Sequence, residues 1–250
     1  VVSDFLLLLL AGLLGGVVNT LAGGGSFITF PALLAVGVPP VSANATNTFA
    51  SLAGYLSGAY GFREELKTYR TELCIWIPVS VIAGVIGALL LLHTKESSFN
   101  AVIPWLLLFA TVLFIFGGRI NEKLQRISLA STTPWLILLC VVCVYGGYFN
   151  AGLGIILLSI LMLAGYRNIH SMNGIKLLLS SSVSASAVII FILQDAIAWQ
   201  QGIAVLTGTL LGGYFSAVVA KRIGQEKVRY AVIAMSCAIT SYFFLETYFS

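Results

Sequence analysis

Charge is what this sequence has least of. Only 9% of its 250 residues are Asp, Glu, Lys or Arg, where soluble domains carry roughly a quarter. With 59% hydrophobic residues and a mean hydropathy of +1.01, that shortage excludes a soluble globular protein and indicates an integral membrane protein. No polar stretch reaches the roughly 50 residues of a soluble domain, so residues 1–250 read as a single polytopic membrane domain. The net charge of +4 is scattered over short loops and offers no patch for nucleic acid. Histidine is scarce too: His93 and His170 have no ligand-spaced companions, which argues against a metal, and no motif calls for a cofactor. Cys74, Cys140, Cys143 and Cys237 all fall in apolar stretches. The "CVVC" at 140–143 has redox-motif spacing, but its Leu and Val neighbours favour packing, because buried Cys behaves as a small hydrophobe. Carboxylates lie only in loops or near segment ends, so none sits mid-span as the acid of a pump would.

What is present is apolar length. Ten segments stand out: 5–21, 26–38, 43–62, 73–92, 101–118, 133–149, 153–165, 175–193, 199–220 and 230–248. Most approach the roughly 20 residues that cross a bilayer core. Two, 26–38 and 153–165, would reach only about 20 Å as helix against a core of about 30 Å. These two hold corresponding places. An offset of 128 residues lays "GGGSFITFPALLAVG" (23–37) over "AGLGIILLSILMLAG" (151–165), and an offset of 129 lays "SANATN" (42–47) over "SMNGIK" (171–176).

Loop charge gives a separate line of argument. Basic residues gather at 63–70, 119–126, 167–176 and 221–229, whereas 39–42 and 194–198 have none and 93–100 has only Lys95. By the positive-inside rule the basic loops are cytoplasmic and both termini fall outside. Every loop then changes side in the second half. The prediction is an all-α integral membrane protein of two inverted-topology repeats, 1–125 and 126–250, each with five membrane segments and each opening with a broken or re-entrant helix pair. Trp76, Trp105, Trp135 and Trp199 lie near segment ends, where an interfacial belt would place them. "GTLLGG" (208–213) suits helix contact within or between subunits, which leaves a homo-oligomer open. The opening at Val1, with an apolar run close behind, fits removal of a few residues or of a signal.

The interruption at Gly23, Gly24 and Gly25 needs a reason, because non-helical backbone at membrane depth is tolerated only when buried in protein or lining a cavity. Glycines permit that path and close approach of a ligand, and Ser26 is placed to cap the following helix. In secondary transporters, paired interruptions mark the substrate site, with half-helix N-termini turned toward an anion. "GLLGGVVNTLAGGGSFITFPALLAVGVPPVSANATNTFASLAGYLSG" (12–58) resembles the first-repeat signature of the TauE/SafE family of membrane transporters. "GGYFNAGLGIILLSILMLAG" (146–165) and "HSMNGIKLLLSSSVSASAV" (170–188) stand where that family's second repeat belongs. The resemblance implies a carrier for a small sulfur oxyanion such as sulfite or a sulfonate, resident in the plasma membrane, with the bilayer and that anion as its partners. Leu153 intrudes in "NAGLG" (150–154), where a triple glycine is common in the family, which implies a tighter second half-site.

The candidate substrate-binding residues follow from both lines. Asn19 and Asn150 precede the two breaks; Gly23, Gly24, Gly25 and Ser26 form the first, and Gly152 and Gly154 the second. Thr46 and Asn47 open the third segment, and Asn173 and Lys176 open its counterpart. Lys176 carries the most information: about a turn and a half into its helix, its charge adds to the positive dipole end, which is unfavourable unless an anion sits there. Snorkelling of its stem to the surface is the alternative. Ser180, Ser181, Ser182, Ser184 and Ser186 go all round their helix, as packing serines do. Without a mid-span acid, any proton coupling runs through the substrate's own protonation, or flux follows the anion gradient and membrane potential. Alternating access at a midplane site is the leading reading. An anion channel of the same architecture and a membrane-embedded redox or lipid enzyme, hinted at only by Cys140 and Cys143, are the alternatives.

Overall fold

The computed structural model describes residues 2–124, 132–219 and 225–249, which form helices and short connections with no strand among them. In chain order these are α1 (Val2–Ala22), α2 (Ser26–Ala35), α3 (Pro40–Gly61), α4 (Arg63–Leu66), α5 (Arg70–His93), α6 (Glu96–Leu124), α7 (Thr132–Tyr148), α8 (Leu153–Leu163), α9 (Ile169–Leu193), α10 (Trp199–Val219) and α11 (Gln225–Phe249). Each of the ten apolar segments coincides with one helix. The short α4 and a 3-10 turn at Lys67–Tyr69 add an elbow between α3 and α5. Four stretches, Ser3–Thr20, Arg63–His93, Glu96–Leu113 and Ile169–Leu193, are long and apolar enough to cross a bilayer among the described residues. Helix is the expected outcome, since lipid offers the backbone no hydrogen-bonding partner. Of the basic loops used above for orientation, Arg126, Lys221 and Arg222 lie outside the described residues.

The two short helices have ten and eleven residues, about 15–17 Å of rise. They end alike. Val38 N–H donates to Leu33 C=O at 3.1 Å beyond Gly37, and Tyr166 N–H to Leu161 C=O at 3.1 Å beyond Gly165, the closing bond of a Schellman motif in both cases. Asn168 caps α9, its side chain accepting from the N–H groups of His170 (2.9 Å) and Ser171 (3.2 Å).

Packing pairs helices from the two ends of the chain. α1 runs along α10 and α5 along α7; α3 lies against α10 and α9, α9 against α5, and α6 against α11. Small residues let these backbones approach: Gly12 and Gly16 meet Val205 and Thr209, while Gly84 and Gly87 meet Gly147 and Val144. Gly208 and Gly212 of "GTLLGG" are spent on Leu9 and Leu13 of α1, so that motif serves contact within the chain. α3 and α9 run antiparallel, with Gly174 against Phe62 and Gly58 against Leu177.

Phe27, Phe30, Phe99, Phe149 and Phe191 centre one core cluster, and Trp76, Trp135, Leu153 and Leu157 another. The tryptophan expectation needs correction. Trp76 and Trp135 are buried against each other, ring centroids 5.3 Å apart, and only Trp105 and Trp199 are exposed as belt residues would be. Nearness to a segment end in sequence says nothing about which helix face a ring occupies.

Candidate functional site

The two interruptions meet. α1 stops at Gly23, whose φ of +82° is a left-handed conformation that side chains rarely adopt; its N–H closes onto the carbonyls of Val18 (3.2 Å) and Asn19 (3.0 Å). Gly152 has the same φ of +82° and leads into α8, its carbonyl accepting from the N–H groups of Ile155 and Ile156. Gly154, in the first turn of α8, packs on Gly23 so closely that a Cβ on Gly23 would stand 3.2 Å from the Gly154 carbonyl carbon. The Gly24 carbonyl accepts from Phe27 N–H, and Gly25 is wedged against Gly15 and Asn19 at the head of α2.

Lys176 lies beside this contact. A Cβ on Gly154 would stand 3.3 Å from Lys176 Cδ, and the lysine is 1% exposed. Its Nζ donates to Asn173 Oδ1 at 3.1 Å, and no carboxylate pairs with it among the described residues. The snorkelling alternative is therefore wrong in this structure. The dipole argument also needs revision: α9 starts at Ile169, which puts Lys176 about two turns in, beyond the first turn where a helix dipole is felt. Burial of an ammonium opposite a neutral amide is the unfavourable feature.

Around the breaks, polar side chains form two groups. In the first, the Tyr55 hydroxyl donates to Asn150 Oδ1 at 2.7 Å and Asn150 Nδ2 donates to Ser184 Oγ at 3.0 Å. Asn19 approaches the same tyrosine hydroxyl, while its Oδ1 has no partner among the described residues. In the second, Asn47 Nδ2 donates to Ser26 Oγ at 3.0 Å and Thr29 Oγ1 donates to Asn47 Oδ1. Both groups are buried. Thr46 belongs to neither: its Oγ1 accepts from Ala198 N–H at 2.9 Å, pinning the start of α10.

The structure thus joins Gly23, Gly154, Asn173 and Lys176 at one place, Asn19 and Asn150 through Tyr55, and Ser26 with Asn47; no hydrogen bond links Asn47 to Lys176 among the described residues. Ser26 does not cap. Gly25, which has no side chain, holds the N-cap position, and the Ser26 hydroxyl accepts from Asn47 Nδ2 instead. Packing describes Ser181, Ser182 and Ser186, which donate to carbonyls of their own helix. It fails for Ser184, a member of the Asn150 group, and for Ser180, whose buried Oγ has no partner among the described residues. Lys176, Ser180 and Ser184 stand four residues apart and so share one face of α9. Asn47, Ser51 and Tyr55 do the same on α3, each 129 residues before its counterpart. Carrying the repeat offset two turns further along would have found Tyr55. The cysteines are free; Cys143 is buried with Sγ 3.3 Å from Ser80 Oγ, a packing environment.

A profile described as Sulfite exporter TauE/SafE matches residues 8–243. A "Probable membrane transporter protein" of Haemophilus influenzae is 27% identical over 239 residues, covering 94% of this chain and 92% of that protein. The "Probable membrane transporter protein YfcA" of Escherichia coli K12 is 25% identical over 243 residues, 96% and 90% of the two chains. "Probable membrane transporter protein ORF9" of a Sinorhizobium species is 26% identical over 234 residues, 93% and 89%. No solved structure matches the chain.

Proposed function

Because the chain belongs to the sulfite exporter TauE/SafE family, and is thus a multi-pass membrane transporter rather than an enzyme, we propose that its cargo is a small sulfur oxyanion such as sulfite or a sulfonate. One observation carries this reading: Lys176 is buried and, among the described residues, its ammonium bonds to a neutral amide alone. An ammonium has three donors. Asn173 takes one, and an oxyanion supplies both the counter-charge and the acceptors for the remaining two. Ser180 Oγ, one turn along the same face, is a further donor in need of an acceptor. Gly23 and Gly154 let the two breaks pack directly on each other beside the lysine stem.

Transport by alternating access between two inverted repeats, 1–125 and 126–250, is the mechanism that these features support best. Packing partners exchange when residues are shifted by 129: α1 with α10 becomes α7 with α5, and α3 with α10 becomes α9 with α5. Thr111 and Thr240, hydrogen-bonded to each other at 3.1 Å, are themselves 129 apart, as two copies meeting on a pseudo-two-fold axis would be. Every candidate side chain with a polar group is less than a tenth exposed, which describes a site closed to both sides. External termini follow from loop charge, the plasma membrane from the family resemblance, and both complete the proposal.

The test is ligand-dependent thermal stabilisation of the purified protein with sulfite and a panel of sulfonates, in wild type, Lys176→Ala and Lys176→Arg. Stabilisation by at least one sulfur anion, lost in Lys176→Ala and partly kept in Lys176→Arg, is expected, because a ligand of the folded state raises apparent stability. A full response in Lys176→Ala would remove this site. Counterflow in vesicles then separates a carrier, which accelerates exchange, from an open pore, which does not.

A further inference from the structure

We infer that Asn19 reads a hydrogen-bond donor on the cargo, so that the site takes a monoanion carrying an O–H or N–H of its own. The inference rests on the anion site at Lys176 and narrows what fills it. A chain of hydrogen bonds fixes which end of Asn19 is free. The Tyr55 hydroxyl gives its proton to Asn150 Oδ1 at 2.7 Å, and Asn150 Nδ2 donates to Ser184 Oγ at 3.0 Å. The Tyr55 oxygen can then only accept, and the side chain that approaches it is Asn19, whose amide nitrogen is the end able to donate. The carbonyl end is left over. Asn19 Oδ1 is buried without a donor among the described residues, on a side chain 6% exposed. A buried acceptor calls for a donor, and a fully deprotonated oxyanion has none to give.

Two routes of contact tie Asn19 to Lys176. Along the breaks, the Asn19 backbone carbonyl accepts from Gly23 N–H at 3.0 Å, Gly23 packs on Gly154, and Gly154 lies against the Lys176 stem. Across the bundle, the chain from Asn19 ends at Ser184, about one turn of α9 from Ser180 and about two from Lys176. Ser180, its buried Oγ also unpartnered among the described residues, lies between them on that face. The charge count agrees with the hydrogen-bond count. Lys176 is the one charged side chain among the buried described residues, so a monoanion leaves the site neutral, whereas a dianion keeps an uncompensated charge out of water. Lysine and serine offer donors to the oxyanion end of the cargo, and Asn19 offers an acceptor to the other end. A protonated oxyanion such as hydrogensulfite fits that division; sulfate and plain alkylsulfonates do not.

Sulfamate and methanesulfonate form the probe pair, because near neutral pH both are monoanions of nearly one shape that differ by an amino group in place of a methyl. Affinities are measured by ligand-dependent thermal stabilisation of the full chain in detergent, in wild type, Asn19→Ala and Lys176→Ala, with sulfate as the dianion. Sulfamate is expected to bind wild type at least about tenfold more tightly than methanesulfonate, the effect of one hydrogen bond to an acceptor otherwise left bare. The ratio should fall to about one in Asn19→Ala, both anions should be lost in Lys176→Ala, and sulfate should bind more weakly than sulfamate. Equal binding of the pair to wild type, a result that needs no variant to fold, would overturn the inference and leave the anion site at Lys176 standing. So would a ratio that persists in Asn19→Ala, or sulfate bound as tightly as sulfamate. Binding of neither anion to wild type, or undiminished binding of both to Lys176→Ala, would remove the anion site and this inference with it.

Discussion

Replacing Lys176 by Met should leave the empty protein about as stable as wild type while abolishing its response to substrate. The side chain is 1% exposed and its one hydrogen bond among the described residues goes to a neutral amide. Replacing buried charges by apolar groups of similar volume is worth about 1–4 kcal/mol of stability. Against that stands the bond to Asn173, worth about 1.5–3 kcal/mol because its donor is charged. The net change is then between about −2 and +2.5 kcal/mol, or roughly −8 to +10 °C at ~2–4 °C per kcal/mol for a chain of this size. Thermal unfolding in detergent is measured with and without anion. At a hundredfold excess over Kd, wild type gains about 2.7 kcal/mol, and Lys176→Met should gain nothing. A ligand-free variant that unfolds well below wild type would refute the reasoning: Lys176 would then be holding the fold together through a partner the site argument denies it.

Asn173→Asp places a carboxylate where an amide oxygen now stands 3.1 Å from Nζ; this internal counter-ion should preserve or raise thermal stability and weaken anion binding at least tenfold, read by titration. Gly23→Ala forces a left-handed φ of +82° on alanine and sets its Cβ 3.2 Å from backbone of Gly154, so it should cost about 1–3 kcal/mol and most of the transport. Gly154→Ala meets the flexible Lys176 stem as well as Gly23 and should be milder in the same vesicle assay. Tyr55→Phe removes the donor to Asn150, with an expected loss of about 1 kcal/mol in stability and slower transport; an unchanged rate would reduce that bond to packing. Exchange of a monoanion for a monoanion should be insensitive to membrane potential, whereas net efflux should respond to it, and equal sensitivity in the two vesicle assays would argue against a positive site.

Much of the fold was legible because lipid leaves the backbone few options. Ten apolar segments became ten helices, and the two short ones stand where their lengths placed them, since length against bilayer thickness is a one-dimensional quantity. What resisted was anything that depends on which way a side chain turns. Trp76 and Trp135 have the position of belt residues but face each other in a core. Ser26 has the position of a cap but bonds sideways to Asn47. Ser184 looked like one of five interchangeable serines until Asn150 was found on it. Lys176 was identifiable as a charge inside an apolar run, yet its depth was underestimated, because the start of α9 is set by the cap at Asn168 and not by hydropathy.

The two halves share a plan but not a charge. At one end of the 129-residue offset, Asn47 is satisfied on both sides by Ser26 and Thr29. At the other, Lys176 retains donors that nothing among the described residues accepts. A symmetric pair of lysines would put two ammonium groups in one membrane interior, with each burial costing several kcal/mol; a symmetric pair of asparagines would leave nothing to attract an anion. On the proposed function, a monoanion bound at the one lysine makes the site neutral and offsets part of the burial penalty, while the empty site keeps it. On that proposal the loaded protein would be the form that rearranges around the site at the lower cost. That ordering favours movement with cargo over movement without it, which is what separates a carrier from a leak, and it rests on a difference of one residue between otherwise matching positions.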